Sequence, residues 1–346
     1  MAEKTKSLAV KYRPKTFDDV TEQAYTIQIL QNQLESGDVK NAYLFTGAAG
    51  TGKTTCARIF ANEINKGQGN PIELDAASNN SVDDVREIIQ MAQTRSMDSE
   101  YKIFIIDECH MITTAGWNAM LKLIEEPPLK SIFIFCTTDA QKIPKTILSR
   151  VQRYNFKRIS QKGIFDRLQY ILDVEFVDLR TENFGYAKDA VEYIAKLSDG
   201  CLREAVTNLE KCLAFSDNWL NLENVIKALG NQNYDTFKGI TDALLDDDKS
   251  AIIDYVNQVY SDGTDMKLFI RQYMDFVLDI TKYFITDDFK YTSLPPTDEM
   301  QNWISGLGAE VYSILDMLVA MQSAIKWDTN PKSYIEARFL MFGGEK

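Results

Sequence analysis

Histidine is almost missing from this chain: His110 is the only one in 346 residues. With no second imidazole to share a metal, His110 reads as structural rather than as a ligand. Cysteine is also sparse. The five cysteines (56, 109, 136, 201 and 212) are scattered, with no Cys-x-x-Cys pair. That spacing argues against both a disulfide framework and a zinc site, and suits a reducing cytoplasm. Positive charge is in deficit as well: 38 basic against 50 acidic residues leave a formal charge of −12. A broad basic face for coating nucleic acid is excluded, although a local channel reading phosphates with helix N-termini and a few cations is not. No apolar run is long enough to cross a bilayer, and Met1–Lys6 has no apolar signal core. There is no internal repeat or low-complexity segment. The expectation is a soluble, intracellular protein of two or three domains, with an ordinary 45% of hydrophobic residues to build their cores.

What the chain does have is Gly47-Ala48-Ala49-Gly50-Thr51-Gly52-Lys53-Thr54-Thr55, between the apolar run Ala42–Phe45 and the helical pattern Cys56–Ala61. Strand, glycine-rich turn and helix form the context of a phosphate-binding P-loop. Gly47, Gly50 and Gly52 let successive N–H groups curl toward phosphates, and the helix adds the positive end of its dipole. Lys53 supplies charge for the β- and γ-phosphates, and the Thr54 hydroxyl is suited to ligate Mg²⁺. The pattern implies a nucleotide site.

A second signal is Ile103-Phe104-Ile105-Ile106-Asp107-Glu108. Such a continuous apolar run suits a central parallel strand buried on both faces, with acids at its carboxyl end, where open α/β sheets keep ligands. Downstream of a P-loop, Asp107 is placed to hold Mg²⁺ and Glu108 to polarise the attacking water. Ser131–Cys136 is a further strand, followed by Thr137-Thr138-Asp139. These threonines either reach the γ-phosphate or its water, or mark a simple strand-to-turn transition. Ser78–Ser81 and Thr113-Thr114 are cap-rich starts of two amphipathic helices. Leu8–Val20 shows neither helical nor strand period and reads as an N-terminal arm; its ring and rigid proline also suit the wall of an adenine pocket. From about Ser160 the β pattern disappears. Helical stripes then carry the chain to a small domain ending near Leu229-Gly230 and on through long amphipathic helices to the end.

Together these residues resemble the clamp-loader branch of the AAA+ ATPases, specifically the gamma/tau family of bacterial DNA polymerase III subunits. Tyr12-Arg13-Pro14, the P-loop, Asp75–Asn80, Asp107-Glu108-Cys109-His110-Met111, Asn118–Lys122, Glu125–Pro128, Thr137-Thr138-Asp139, Ile147–Arg150 and Gly200–Ala205 carry the likeness. The resemblance implies an α/β AAA+ P-loop domain with a parallel sheet over 1–159. An all-α lid over 160–230 and an all-α collar for oligomerisation over 231–346 would follow. It implies ATP and Mg²⁺ as cofactors, with Tyr12, Arg13 and Pro14 lining the adenine site beside Thr51 and Thr55. Thr138 would be a γ-phosphate sensor, Arg150 an arginine finger acting in trans on a neighbouring subunit's ATP, and Arg203 a lid sensor. The implied partners are other clamp-loader subunits in a pentameric spiral, a sliding clamp and primer–template DNA, in the cytoplasm and not at a membrane. Asn79, Asn80, Ser81, Thr113 and Thr114 would meet DNA phosphates at helix N-termini inside the spiral.

Three departures qualify the likeness. The family's four-cysteine zinc module is replaced by the turn Asn65–Pro71, so no zinc is expected. Val151 stands where the family commonly has cysteine, and no long tail follows Lys346, as suits a compact form from a phage or a reduced bacterial lineage. The alternatives are a DExH-type helicase, since Asp107–His110 spells that box, and a non-hydrolysing scaffold subunit. The first needs a second RecA-like domain where this sequence shows helices. The second typically loses P-loop or acidic residues that are present in this chain.

Overall fold

The computed structural model describes residues 7–179, 185–216, 219–229 and 234–343, with backbone alone at 176–179. The chain divides into two compact units, residues 1–222 and 223–346. The expected boundary between lid and collar, at Gly230 and Asn231, lies outside the described residues.

Five short runs of the first unit become one parallel sheet. They are β1 (Ala42–Gly47), β2 (Ile72–Asp75), β3 (Lys102–Asp107), β4 (Ser131–Thr137) and β5 (Gln152–Phe156), in the order β2-β3-β4-β1-β5. Strand β4 lies between β1 and β3, with Leu44 opposite Phe135 and Ile106 opposite Phe135 on its other side. The carboxyl ends of β1 and β3 therefore open on the same edge with a gap between them, the usual place for a ligand. Side-chain alternation explains the unbroken apolar runs. Leu44, Phe104, Ile106, Phe133 and Phe135 share one core with α4 (Val82–Gln93) and α5 (Thr114–Glu125). Tyr43, Phe45, Ile103, Ile105 and Ile134 share the other with α2 (Ala24–Ser36) and α3 (Lys53–Ile64). Each fully buried large apolar side chain stabilises the fold by about 1.5–3 kcal/mol.

The arm is not without structure. Leu8–Lys11 form one helical turn, α1, and Phe17–Asp19 a 3₁₀ turn. Four residues are too few to show a period, and α1 gains its support by packing on α9 (Leu202–Phe215). Beyond α6 (Lys145–Leu148), α7 (Gln161–Leu179) packs against α8 (Lys188–Leu197) and α9, with Ile164, Leu168, Ile171 and Leu172 fully buried. The β pattern does not vanish completely after Ser160: β6 (Gly185–Tyr186) and β7 (Trp219–Leu220) pair in parallel. Two-residue strands leave no readable alternation. Trp219 lies so close over Gly185 that any side chain there would meet its ring.

Helix α10 (Leu222–Leu229) begins at the boundary. The described part of the second unit then consists of helices: α11 (Tyr234–Leu245), α12 (Lys249–Ser261), α13 (Met266–Thr286), α14 (Asp298–Ser305), α15 (Val311–Ile325) and α16 (Pro331–Leu340), with one 3₁₀ turn. The expected stripes supply one core, in which Ile252, Phe269, Tyr273, Phe276 and Ile314 are buried. Phe237 stacks on Tyr273, whose hydroxyl is 3.0 Å from Thr241 Oγ1.

Candidate nucleotide site

The P-loop takes its shape from three glycines in backbone regions closed to most side chains. Gly47 ends β1 with φ +150°, and a Cβ there would lie 2.3 Å from the Phe156 carbonyl oxygen. Strand β5 is what holds this position free of a side chain. Gly50, at φ +68°, faces Cys201 and Arg203 at the start of α9, and Gly52, at φ +100°, is the N-cap of α3. The Thr51 hydroxyl closes the turn by donating to the Ala48 carbonyl at 2.9 Å.

Lys53 is the first residue of α3 and only 6% exposed. Its ammonium donates to the carbonyls of Gly47 (2.9 Å) and Ala48 (2.8 Å). Burial pushes its pKa below the ordinary lysine value, and the nearby Glu108 and Asp107 carboxylates oppose that shift. The Thr54 hydroxyl donates to Asp107 Oδ2 at 2.7 Å. That contact joins the P-loop to the end of β3 across the gap left by β4. A hydroxyl and a carboxylate oxygen side by side form a hard donor pair of the kind Mg²⁺ accepts.

Glu108 is held in left-handed backbone, φ +46°, a conformation that costs a non-glycine residue about 1–2 kcal/mol. The turn aims its carboxylate along the strand ends. There Oε2 accepts from the Thr138 hydroxyl at 3.0 Å and lies 3.2 Å from His110 Nδ1. His110 Nδ1 is also 3.1 Å from Thr137 Oγ1. The single histidine thus braces the acidic strand end.

The P-loop and the strand-end acids border a cavity of about 430 Å³, within the usual size of a small-molecule site. Gly50, Thr51, Gly52, Lys53, Thr54 and Thr55 line one end with Asp107 and Glu108. Tyr12, Arg13 and Pro14 line the other, and Arg203 reaches it from α9. Sequence reasoning missed Val20, Thr21, Ile159, Arg167 and Glu210, which also line it. No local motif announces them, because they meet only when the arm folds back onto α7 and α9.

The other expected residues lie elsewhere. Thr138 bonds Glu108 from outside the cavity lining. Arg150 is exposed after α6, where its Nε pairs with Glu125 at 2.6 Å and its Nη1 donates to the Thr146 carbonyl at 2.8 Å. Ser81 and Thr113 cap α4 and α5, accepting from the Asp84 and Gly116 amides at 3.1 and 3.2 Å. The two helix starts are tied together by the Thr113 amide on the Asn80 carbonyl, while the Asn79 amide side chain binds the Asp75 carbonyl. Thr114 opens α5 beside them. This cluster is off the cavity.

A parallel sheet of this order, a P-loop joined to strand-end acids and a helical segment over the site define an AAA+ P-loop domain. Solved structures agree on the fold: the Thermotoga maritima RuvB Holliday junction branch migration motor superposes with a TM-score of 0.53 at 20% identity, over 73% of this chain and 86% of that one. Two family models match, one described as DNA polymerase III, delta subunit (residues 22–80 and 72–160), the other as DNA polymerase III subunits gamma and tau domain III (residues 220–322). The gamma subunit of Buchnera aphidicola from Schizaphis graminum is 31% identical over 78% of this chain and 78% of its own length. The tau subunit of Bacillus subtilis is 32% identical over 94% of this chain. The chain belongs to the family of DNA polymerase III gamma and tau subunits. It spans 61% of the Bacillus subtilis tau subunit and 42% of that of Salmonella typhimurium. Among the described residues, no helix is long and apolar enough to cross a membrane.

Proposed function

We propose that this chain is an ATPase motor subunit of a sliding-clamp loader, coupling ATP binding and hydrolysis to opening a clamp and closing it on primer–template DNA. The observation that carries the reading is the 2.7 Å contact between Thr54 and Asp107, which joins the P-loop to the acidic strand end in a chain of the gamma/tau family. ATP would lie with its base between the arm and α7 and its phosphates on the P-loop. Lys53 would exchange its carbonyl partners for phosphate oxygens. Thr54 and Asp107 would hold Mg²⁺, which when bound neutralises charge on the β- and γ-oxygens. Glu108 would orient and deprotonate the attacking water, with Thr138 and His110 setting its direction. Arg203 would close on the phosphates from the lid. Arg150, exposed and outside its own cavity, would serve a neighbouring subunit's site, so that turnover requires assembly.

Within the first unit we assign 1–159 to the ATPase part and 160–222 to the lid, and the second unit to the collar that brings the subunits together in a spiral, in the cytoplasm. The paired starts of α4 and α5 would present N–H groups to DNA phosphates, which reconciles DNA handling with a net charge of −12. A helicase reading wants a second RecA-like sheet, whereas the described residues of the second unit are helical. The test is Glu108→Gln in the full chain with its partner subunits and primed DNA. ATP binding should be retained while turnover falls about 10²–10⁴-fold, the range for loss of a general base. Unchanged turnover would overturn the assignment.

A further inference from the structure

The arm that walls the base end of the cavity is fastened to α7 and α9 and, at its far end, to the segment that joins β5 to α7. The Leu8 amide donates to Glu210 of α9 at 3.3 Å, and Lys11 pairs with Glu175 of α7 at 2.7 Å. Arg167 of α7 donates through Nη2 to the Tyr12 carbonyl at 2.9 Å. At the arm's far end Glu22 accepts from the Ser160 amide at 3.1 Å, and Gln23 exchanges two hydrogen bonds with the backbone of Lys157, at 2.7 and 3.1 Å. Both residues adopt left-handed backbone, at φ 60°, to do so. Phe17 is the arm's buried link to the sheet core.

Arg167 occupies the critical point of this arrangement. Arg13 is confined to extended backbone by Pro14, which has no N–H to offer, so no ladder of hydrogen bonds can hold this stretch. The Tyr12 carbonyl is where the stretch is gripped. The gripping guanidinium is itself braced, 5.0 Å over the Tyr170 ring, and Tyr170 meets Tyr12 edge-on at 6.4 Å. Arg167 also lines the cavity. A planar, charged fork fixed on one side by a ring is suited to setting the height of a backbone segment.

We propose that Arg167 is a positioning residue for base recognition, and that through it the arm and the lid helices close on the nucleobase as one piece. This rests on the nucleotide reading above. Base contact at Tyr12–Pro14 is then transmitted to α7 and α9, and so to Arg203 at the phosphate end.

The experiment compares the full unaltered chain with Arg167→Ala and Arg167→Lys. A fluorescent ADP analogue reports affinity, competition with ADP and GDP reports base preference, and trypsin reports the arm through the Lys15–Thr16 bond. Arg167→Ala should weaken ADP binding about tenfold, the worth of one charge-assisted hydrogen bond. It should also shrink the ADP-over-GDP preference and abolish the protection that ADP gives Lys15–Thr16. Arg167→Lys should recover most of the affinity. A purely structural role would lower the melting temperature and leave the base ratio unchanged, and that result overturns the proposal. If the alanine variant does not fold, Arg167→Gln decides: a normal melting temperature with reduced base preference supports the proposal, and wild-type preference overturns it. Failure of the unaltered chain to bind any nucleotide would instead remove the nucleotide reading on which the proposal rests.

Discussion

Replacing Gly50 by alanine puts a methyl group where the P-loop meets the start of α9, and the cost can be separated into two parts. The first is conformational: Gly50 sits at φ +68°, where a side chain costs about 1–2 kcal/mol. The second is steric, because the new Cβ would lie 2.2 Å from Cys201 Sγ and 3.4 Å from both Cβ and N of Arg203. Sulfur ends a short side chain that can rotate away, so this part falls at the low end of overpacking costs, about 1 kcal/mol. The sum, about 2–3 kcal/mol, should lower the melting temperature of the first unit by roughly 4–12 °C, at about 2–4 °C per kcal/mol for a unit of this size. Removing the sulfur isolates the steric part. In a thermal-denaturation cycle of Gly50→Ala, Cys201→Ala and the double variant, the double should be about 1 kcal/mol more stable than the summed single effects. Strict additivity would refute the claim that the loop and the start of α9 touch at this point.

Three further outcomes follow from the same geometry. Burial lowers the folded-state pKa of Lys53, so as pH rises the native chain loses this proton before the unfolded chain does. In that window the unfolded state binds more protons and stability rises with pH. Urea denaturation at pH 7.5 and pH 10 should therefore show wild type gaining on Lys53→Met as pH increases; a constant difference would contradict it. Cys56 and Cys212 are pushed to about 12 by burial, and Cys109 and Cys136 are also raised, whereas Cys201 is partly accessible. A disulfide reagent at pH 8 should titrate one thiol quickly in the native chain and all five only in denaturant. Phe237 is fully buried among Phe269, Tyr273 and Phe276, so Phe237→Ala should cost about 3–5 kcal/mol in the denaturation of the second unit.

Much of the site was legible because its chemistry is local. The P-loop lies within nine residues, and the run Ile103–Asp107 announces both a central strand and the position of its acid. Caps at Ser81 and Thr113 act within three residues, so the sequence shows them too. The end of the cavity lined by the arm was only half legible. Tyr12–Pro14 shows in the sequence as a ring beside a rigid proline, but Arg167, Ile159 and Glu210 approach from more than a hundred residues away. The left-handed pair Glu22–Gln23 leaves no mark in the sequence, because neither residue type favours that backbone. It is held by Ser160 and Lys157, contacts that exist only in the folded unit. Leu8–Lys11 and the paired strands at Gly185 and Trp219 are shorter than the periods by which helices and strands are read.

The most direct test of the central claim is ATP turnover by Lys53→Ala and Arg150→Ala chains, separately and mixed, with primed DNA and partner subunits present. Each variant alone should be nearly inactive. Mixing should restore turnover, since an intact P-loop in one chain would meet an intact arginine from the next. Mixtures that stay inactive while wild type turns over would mean that each site is completed within one chain, which contradicts hydrolysis across a subunit interface.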